Sequence, residues 1–200
     1  SLTTNGLHLE QYAADLAAAG LKRVNISLDT LRPERFHQIT GAPGLERVMA
    51  GIGAAHAAGL QPVKINTVIM RGINDDEIPD FAALTVRAGW HVRFIEIMPI
   101  GQNTQTLLVT AAEMRQRLPG LAPDDGVVGF GPARMYRLPG ARGTIAIISP
   151  VSDHFCQACN RLRLTADGKL RPCLLTDGEI DVRAALRGGN SAHDLARLIR

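Results

Sequence analysis

The chain has 200 residues, of which 46% are hydrophobic, 20% charged and only 4% aromatic, with a formal net charge of +3, 20 glycines and 11 prolines. That apolar share supports a buried core and excludes a disordered or collagen-like chain, and no run approaches the ~20 apolar residues of a membrane span. Three cysteines, all between Cys156 and Cys173, are too few for a disulfide scaffold and point to a metal site in a reducing compartment, which predicts a cytoplasmic protein without an export signal.

In chain order, Ser1 to Gly6 reads as the tail of a strand running into a turn, which suggests a fragment. Tyr12, Ala13, Leu16, Ala17 and Ala19 recur at helical spacing and predict a helix over 9–21, stopped at Gly20. Val24 to Leu28 alternates as a short strand, and Asp29 to Pro33 breaks it as a loop. The unit repeats with a helix over 45–58, a β-branched strand over 62–70, a helix over 78–88 and a strand over 91–98. Short helices alternating with short strands predict consecutive βα units, a parallel sheet, and helices on one face of a sheet or barrel.

Beyond Pro99 the rhythm is lost. A helix is expected over 111–118, strands over 135–138 and 144–149 joined through Pro139-Gly140, and a hairpin between Leu162 and Cys173 turning at Asp167-Gly168. The chain therefore divides into residues 1–100, carrying the βα units, and residues 101–200, a C-terminal appendage that holds every cysteine.

The clearest chemical signal is Cys156-x-x-Cys159 followed, after thirteen residues, by Cys173. Two thiols three apart on a turn and a third from a hairpin suit one metal centre, either zinc with a fourth ligand such as His154 or an iron–sulfur cluster. Asn160, Arg161, Arg163, Lys169 and Arg171 lie between the second and third cysteines. Strand alternation puts Arg161 and Arg163 on one face, where two guanidiniums either hold phosphate or purine acceptors or form a solvated strand face. Only Lys22, Lys64 and Lys169 of the 22 basic residues are lysine; this suits bidentate anion capture, although a codon preference produces the same skew.

Lys64 interrupts an otherwise buried strand, and Arg93 and Glu96 repeat the theme in the next, so these charges belong either to a ligand site or to an inter-strand salt bridge. The strand ends carry Thr3-Thr4-Asn5-Gly6, Ser27-Leu28-Asp29 and Met98-Pro99. In parallel βα folds such ends line the active face, although each pattern also opens turns and helices.

Taken together, Thr3-Thr4-Asn5-Gly6, Val24-Asn25-Ile26-Ser27-Leu28-Asp29, Val63-Lys64-Ile65-Asn66-Thr67-Val68, Gly72-Ile73-Asn74-Asp75-Asp76-Glu77-Ile78, Val92 to Pro99 and Phe155 to Leu170 resemble the GTP 3′,8-cyclase family of radical S-adenosylmethionine enzymes. The resemblance implies a partial TIM-type barrel, with a C-terminal region carrying a 4Fe–4S cluster, and the first step of molybdenum cofactor biosynthesis. In that family, one cluster cleaves S-adenosylmethionine to a radical that abstracts the C3′ hydrogen of GTP, leading to 3′,8-cyclo-7,8-dihydro-GTP. A second cluster has three cysteine ligands and an iron open to the guanine.

By motif position, the resemblance assigns Cys156, Cys159 and Cys173 to the second cluster and Arg161 and Arg163 to GTP beside it. Thr3, Lys64 and Arg93 are likewise assigned to GTP, and Ser27 and Met98 to S-adenosylmethionine. It identifies no catalytic residue and no electron donor, implies no membrane or nucleic-acid partner, and allows a homodimer for the full-length protein. The first-cluster motif C-x3-C-x2-C and the Gly-Gly-Glu-Pro strand are absent from these 200 residues. The isolated chain is therefore expected to be inactive, with an open sheet edge that favours aggregation. The alternative from another class is a zinc-stabilised nucleotide- or RNA-binding module, opposed by the few aromatics available for base stacking; a related radical enzyme with a peptide substrate is opposed by the arginine pair.

Overall fold

The computed structural model describes residues 1–100, 104–126, 133–156, 159, 161–189 and 191–199. They form two compact units, Ser1–Phe155 and Cys156–Arg200. No helix among the described residues is long and apolar enough to cross a membrane.

The first unit alternates β1 (Leu2–Thr4), α1 (Leu9–Ala18), β2 (Val24–Ser27), α2 (Pro33–Thr40), α3 (Leu45–Ala57), β3 (Val63–Ile69), α4 (Ile78–Arg87) and β4 (His91–Glu96). It continues through α5 (Ala111–Gln116), β5 (Ala122–Pro123), β6 (Ala133–Arg137) and β7 (Ile145–Ile148). One seven-stranded sheet results, in the order β1-β2-β3-β4-β7-β6-β5. Pairing is parallel from β1 through β4 to β7, and antiparallel for β7 with β6 and β6 with β5. This is the mixed α/β, parallel-rich architecture that the βα rhythm predicts.

The sheet is sided where β2, β3 and β4 alternate. In β3, Val63, Ile65, Thr67 and Ile69 are buried while Lys64, Asn66 and Val68 are partly open; in β4, Val92, Phe94 and Glu96 are buried and His91, Arg93 and Ile95 are not. The apolar positions join a core with Leu9 and Ala13 of α1, Val48, Ile52 and Ala55 of α3, and Phe81 of α4. Each fully buried valine, leucine, isoleucine or phenylalanine among them contributes roughly 1.5–3 kcal/mol. Gly51 allows α3 to approach the β1–α1 turn, since a Cβ there would lie 2.6 Å from the Gly6 carbonyl oxygen.

Helix α2 adds an element that the sequence pattern beyond the 29–33 loop does not predict. Its signals are terminal, Pro33 in its first turn and Gly41 in the left-handed conformation after it, with Phe36 alone buried. A helix with one inward residue leaves no apolar stripe to detect. The strands read over 135–138 and 144–149 extend the main sheet, because Ile145 to Ile148 pairs with Val92 to Ile95.

The second unit has β8 (Arg163–Leu164), β9 (Lys169–Arg171) and β10 (Ile180–Asp181) in antiparallel order β10-β9-β8, then α6 (Val182–Arg187) and α7 (Ala192–Ile199). The hairpin turns at Gly168 with φ +83°, and a Cβ there would meet the Arg183 Cβ at 2.6 Å. Asp181 caps α6, its carboxylate accepting from the Ala184 amide at 2.7 Å. Among the described residues of this unit only Val182 joins the buried hydrophobics, while Leu162, Leu164, Leu174, Leu175 and Leu186 are exposed.

Candidate functional site

The parallel register assembles two polar rows on the face of the sheet opposite the core. Thr3 lies beside Asn25, Asn25 beside Lys64, and Lys64 beside His91; one step along, Ser27 lies beside Asn66, and Asn66 beside Arg93. Four expected site residues, Thr3, Ser27, Lys64 and Arg93, therefore share one face. Met98 lies two residues beyond the end of β4, half-buried and outside the ladder.

This face is cationic. Burial pulls the Lys64 pKa below the ordinary lysine value, and Arg93 and then Arg23 lower it further. Burial likewise lowers His91, helped by Lys64, Arg137 and Arg93, and its Nδ1 lies 2.7 Å from the Thr144 hydroxyl. Among the described residues no carboxylate pairs with Lys64. Asn66, to which the pattern assigned no role, holds a buried Oδ1 that has no hydrogen-bond partner among the described residues. A buried acceptor left open on a polar face suits a ligand's donor.

Glu96 does not belong to this face. Three residues from Arg93 along an alternating strand, it projects to the buried side. Its carboxylate accepts from the amides of Ala111 at 2.8 Å and of Val151 and Ser152 at 2.9 Å, and from the Ser152 hydroxyl. The salt bridge considered for this strand is thus not made by Glu96, whose role is to hold the start of α5 and the segment after β7. Residue parity alone carried that distinction.

In the second unit, Cys156, Cys159, Arg161, Leu162, Pro172 and Cys173 line a cavity of about 400 Å³. All three thiols are free, Cys156 and Cys159 exposed and Cys173 half-buried. The Cys159 amide closes a turn on the Cys156 carbonyl at 3.2 Å, and the Leu175 amide donates to the Cys173 sulfur at 3.3 Å. Among the described residues no three His, Cys, Asp or Glu side chains are gathered closely enough to hold a single metal ion. The thiols share one cavity wall without converging on a point. His154 is engaged in its own loop, Nδ1 lying 2.9 Å from the Pro150 carbonyl.

The basic residues of the hairpin fall into two classes. Arg171 and Lys169 both pair with Glu179, Lys169 at 3.1 Å, and the two cations hold that carboxyl below its usual range, Arg171 first. Arg161 and Arg163 have no ion pair or side-chain hydrogen bond among the described residues. Arg163 stands directly across from Arg171, whose charge Glu179 already engages. Arg161 precedes β8, so strand alternation does not reach it; Asn160 lies outside the described residues.

A family model described as Molybdenum Cofactor Synthesis C matches residues 90–200, and one described as Radical SAM superfamily matches residues 1–85. Similar curated proteins include the "GTP 3',8-cyclase" of Heliobacterium modesticaldum, 54% identical over 207 residues and covering 100% of this chain and 63% of the relative. That of Moorella thermoacetica is 53% identical, covering 99% and 63%, and that of Gloeobacter violaceus 49% identical, covering 100% and 63%. The chain thus spans 63% of the length of these relatives. With more than half of its residues matched from 90 to 200, and with cysteines and arginines where that match falls, the chain belongs to the Molybdenum Cofactor Synthesis C family.

Proposed function

We propose that the chain is part of a radical S-adenosylmethionine GTP 3′,8-cyclase, converting GTP to 3′,8-cyclo-7,8-dihydro-GTP in the first step of molybdenum cofactor biosynthesis. The observation that carries the reading is a cavity lined by three thiols and Arg161, with Arg163 two residues on in β8; among the described residues neither arginine has an ion pair. The relatives' shared name supports it.

The donor set fits a cluster. Cys156, Cys159 and Cys173 would hold one 4Fe–4S centre, which when bound presents an iron free of protein ligands to the substrate's ring. Arg161 and Arg163 supply fixed positive charge and planar donors for GTP oxygens. On the sheet face, Lys64 and Arg93 neutralise phosphate charge and Thr3 contributes a hydroxyl. Ser27 and Met98 contact S-adenosylmethionine, with the open Asn66 acceptor beside Ser27 as a further polar group on that face. We read residues 1–100 as later units of a TIM-type barrel and residues 101–200 as the region of the cluster and GTP. The three cysteines here are one ligand set, so no step is assigned to a first cluster.

Anaerobic reconstitution of the chain, followed by iron, sulfide and zinc analysis, tests this reading. About four irons and four sulfides per chain are expected. One tightly held zinc with no iron overturns it in favour of a zinc-stabilised nucleotide- or RNA-binding module.

A further inference from the structure

The segment Gly72 to Ile78 carries part of the family resemblance and has no role in the site as described. Its two buried polar side chains, Asn74 and Glu77, are completely enclosed, and both are directed at the loop after β2. The Asn74 amide donates to the Asp29 carbonyl at 2.6 Å and to the Val68 carbonyl at 2.8 Å, and its oxygen accepts from the Met70 amide at 2.7 Å. The Glu77 carboxylate accepts from the Thr30 hydroxyl and from the Leu31 amide, each at 2.6 Å, and from Arg35.

The end of β3 completes the attachment. The Thr67 hydroxyl donates to the Leu28 carbonyl, and the Val68 amide to the Asp29 carboxylate, each at 2.8 Å. Burial raises the Asp29 pKa, opposed by that amide. Residues 28–31 are therefore tied residue by residue to 67–77, immediately after Ser27 and beyond the last β2–β3 ladder pair, Ser27 with Asn66.

The ladder and core already hold β2 against β3, so these bonds add little to strand pairing. They order a loop at the carboxyl end of a parallel strand, where such folds bind ligands. A buried carboxylate and a buried amide used on one short loop indicate that its conformation matters. From this geometry we infer that Asn74 and Glu77 are positioning residues for S-adenosylmethionine: they set the Ser27–Leu31 segment in its binding conformation before the ligand arrives, removing the ordering cost from binding. The inference rests on the assignment of Ser27 to that ligand.

The test uses the longer protein that contains this chain, with dissociation constants for S-adenosylmethionine and GTP measured separately, well below the melting temperature. Asn74→Ala and Glu77→Ala should weaken S-adenosylmethionine about tenfold or more and leave GTP within about twofold. Glu77→Gln should recover part of the lost affinity, because Leu31 can still donate to the remaining oxygen and a rotated Thr30 hydroxyl can accept from the new amide, while that amide no longer accepts from Arg35. Thr30→Val, isosteric and less disruptive, gives a smaller loss in the same direction and serves if the alanine variants do not fold. A parallel loss of both affinities, tracking the drop in melting temperature, or an unchanged S-adenosylmethionine affinity in Thr30→Val and Glu77→Ala, overturns the inference. If the wild-type protein binds no S-adenosylmethionine, or Ser27→Ala binds it as wild type does, the assignment of Ser27 fails, which is a separate result.

Discussion

The two units present their cations in opposite ways. On the sheet, Lys64 and Arg93 are set by a parallel register flanked by strands whose other face is buried in the core, so their positions are built by the fold itself. In the hairpin unit, with Val182 the one buried hydrophobic among its described residues, the thiols line a cavity without meeting. A polar face backed by a core can be preorganised at no cost to a ligand, whereas a small unit with little apolar burial leaves part of its organisation to a bound centre.

The largest effect should come from the thiols. Cys156→Ser, Cys159→Ser or Cys173→Ser removes a third of the donor set, and iron in the reconstituted chain should fall from about four per chain to near zero. Thermal unfolding of the sheet unit should be unchanged, as measured by circular dichroism; a sheet unit that melts earlier in these variants would break the contrast between the units.

The next effect separates the hairpin's two classes of cation. Arg161→Ala with Arg163→Ala should weaken GTP strongly, since charge-assisted hydrogen bonds contribute ~1.5 to 3 kcal/mol each. Lys169→Ala with Arg171→Ala should weaken it less, because those side chains are already engaged by Glu179. Equilibrium dialysis with GTP checks both, and equal losses would erase the distinction.

On the sheet face, Lys64→Met should lower GTP affinity about tenfold without destabilising the fold. The Lys64 pKa lies below its unfolded value, so the protonated side chain opposes folding at neutral pH, and its removal should leave the melting temperature unchanged or slightly higher. Thermal shift with and without GTP reads both effects.

The smallest effect belongs to the cap of α5. The Thr110 hydroxyl accepts from the Glu113 amide, and the Glu113 carboxylate returns a bond to the Thr110 amide at 2.8 Å. That amide, then Arg71 and the Thr110 hydroxyl, bring the Glu113 pKa from 4.5 down to about 2. A carboxyl lowered on folding stabilises above its unfolded pKa, so this contribution should be full above 4.5 and fade as pH falls toward 2. Glu113→Gln should flatten the melting temperature over that window, and Thr110→Ala should cost about 1 kcal/mol in denaturant unfolding.

Much of the fold was legible because its elements announce themselves locally. The apolar spacing over 9–21, 45–58 and 78–88 and the strands read over 24–28, 62–70 and 91–98 correspond to α1, α3, α4, β2, β3 and β4 within a few residues at each end. Helix α2 was not legible because it buries only Phe36, and β10 and α6 are too short to show a period; α7, by contrast, carries the helical spacing Ala192, Leu195, Ala196 and Ile199, a local signal that was there to be read. Arg161 shows the limit of alternation arguments: the rule requires a strand, and β8 begins two residues later.

The sequence by itself determined which groups are present, three cysteines between positions 156 and 173 with arginines among them, and the rhythm that makes a parallel sheet. Tertiary structure decided which side chains meet. The rows Thr3, Asn25, Lys64, His91 and Ser27, Asn66, Arg93 exist only through inter-strand register, as does the tie from Asn74 and Glu77 to residues 29–31, more than forty positions away in the chain. Local composition encodes which way a side chain can face; long-range hydrogen bonding between strands and loops determines what it faces.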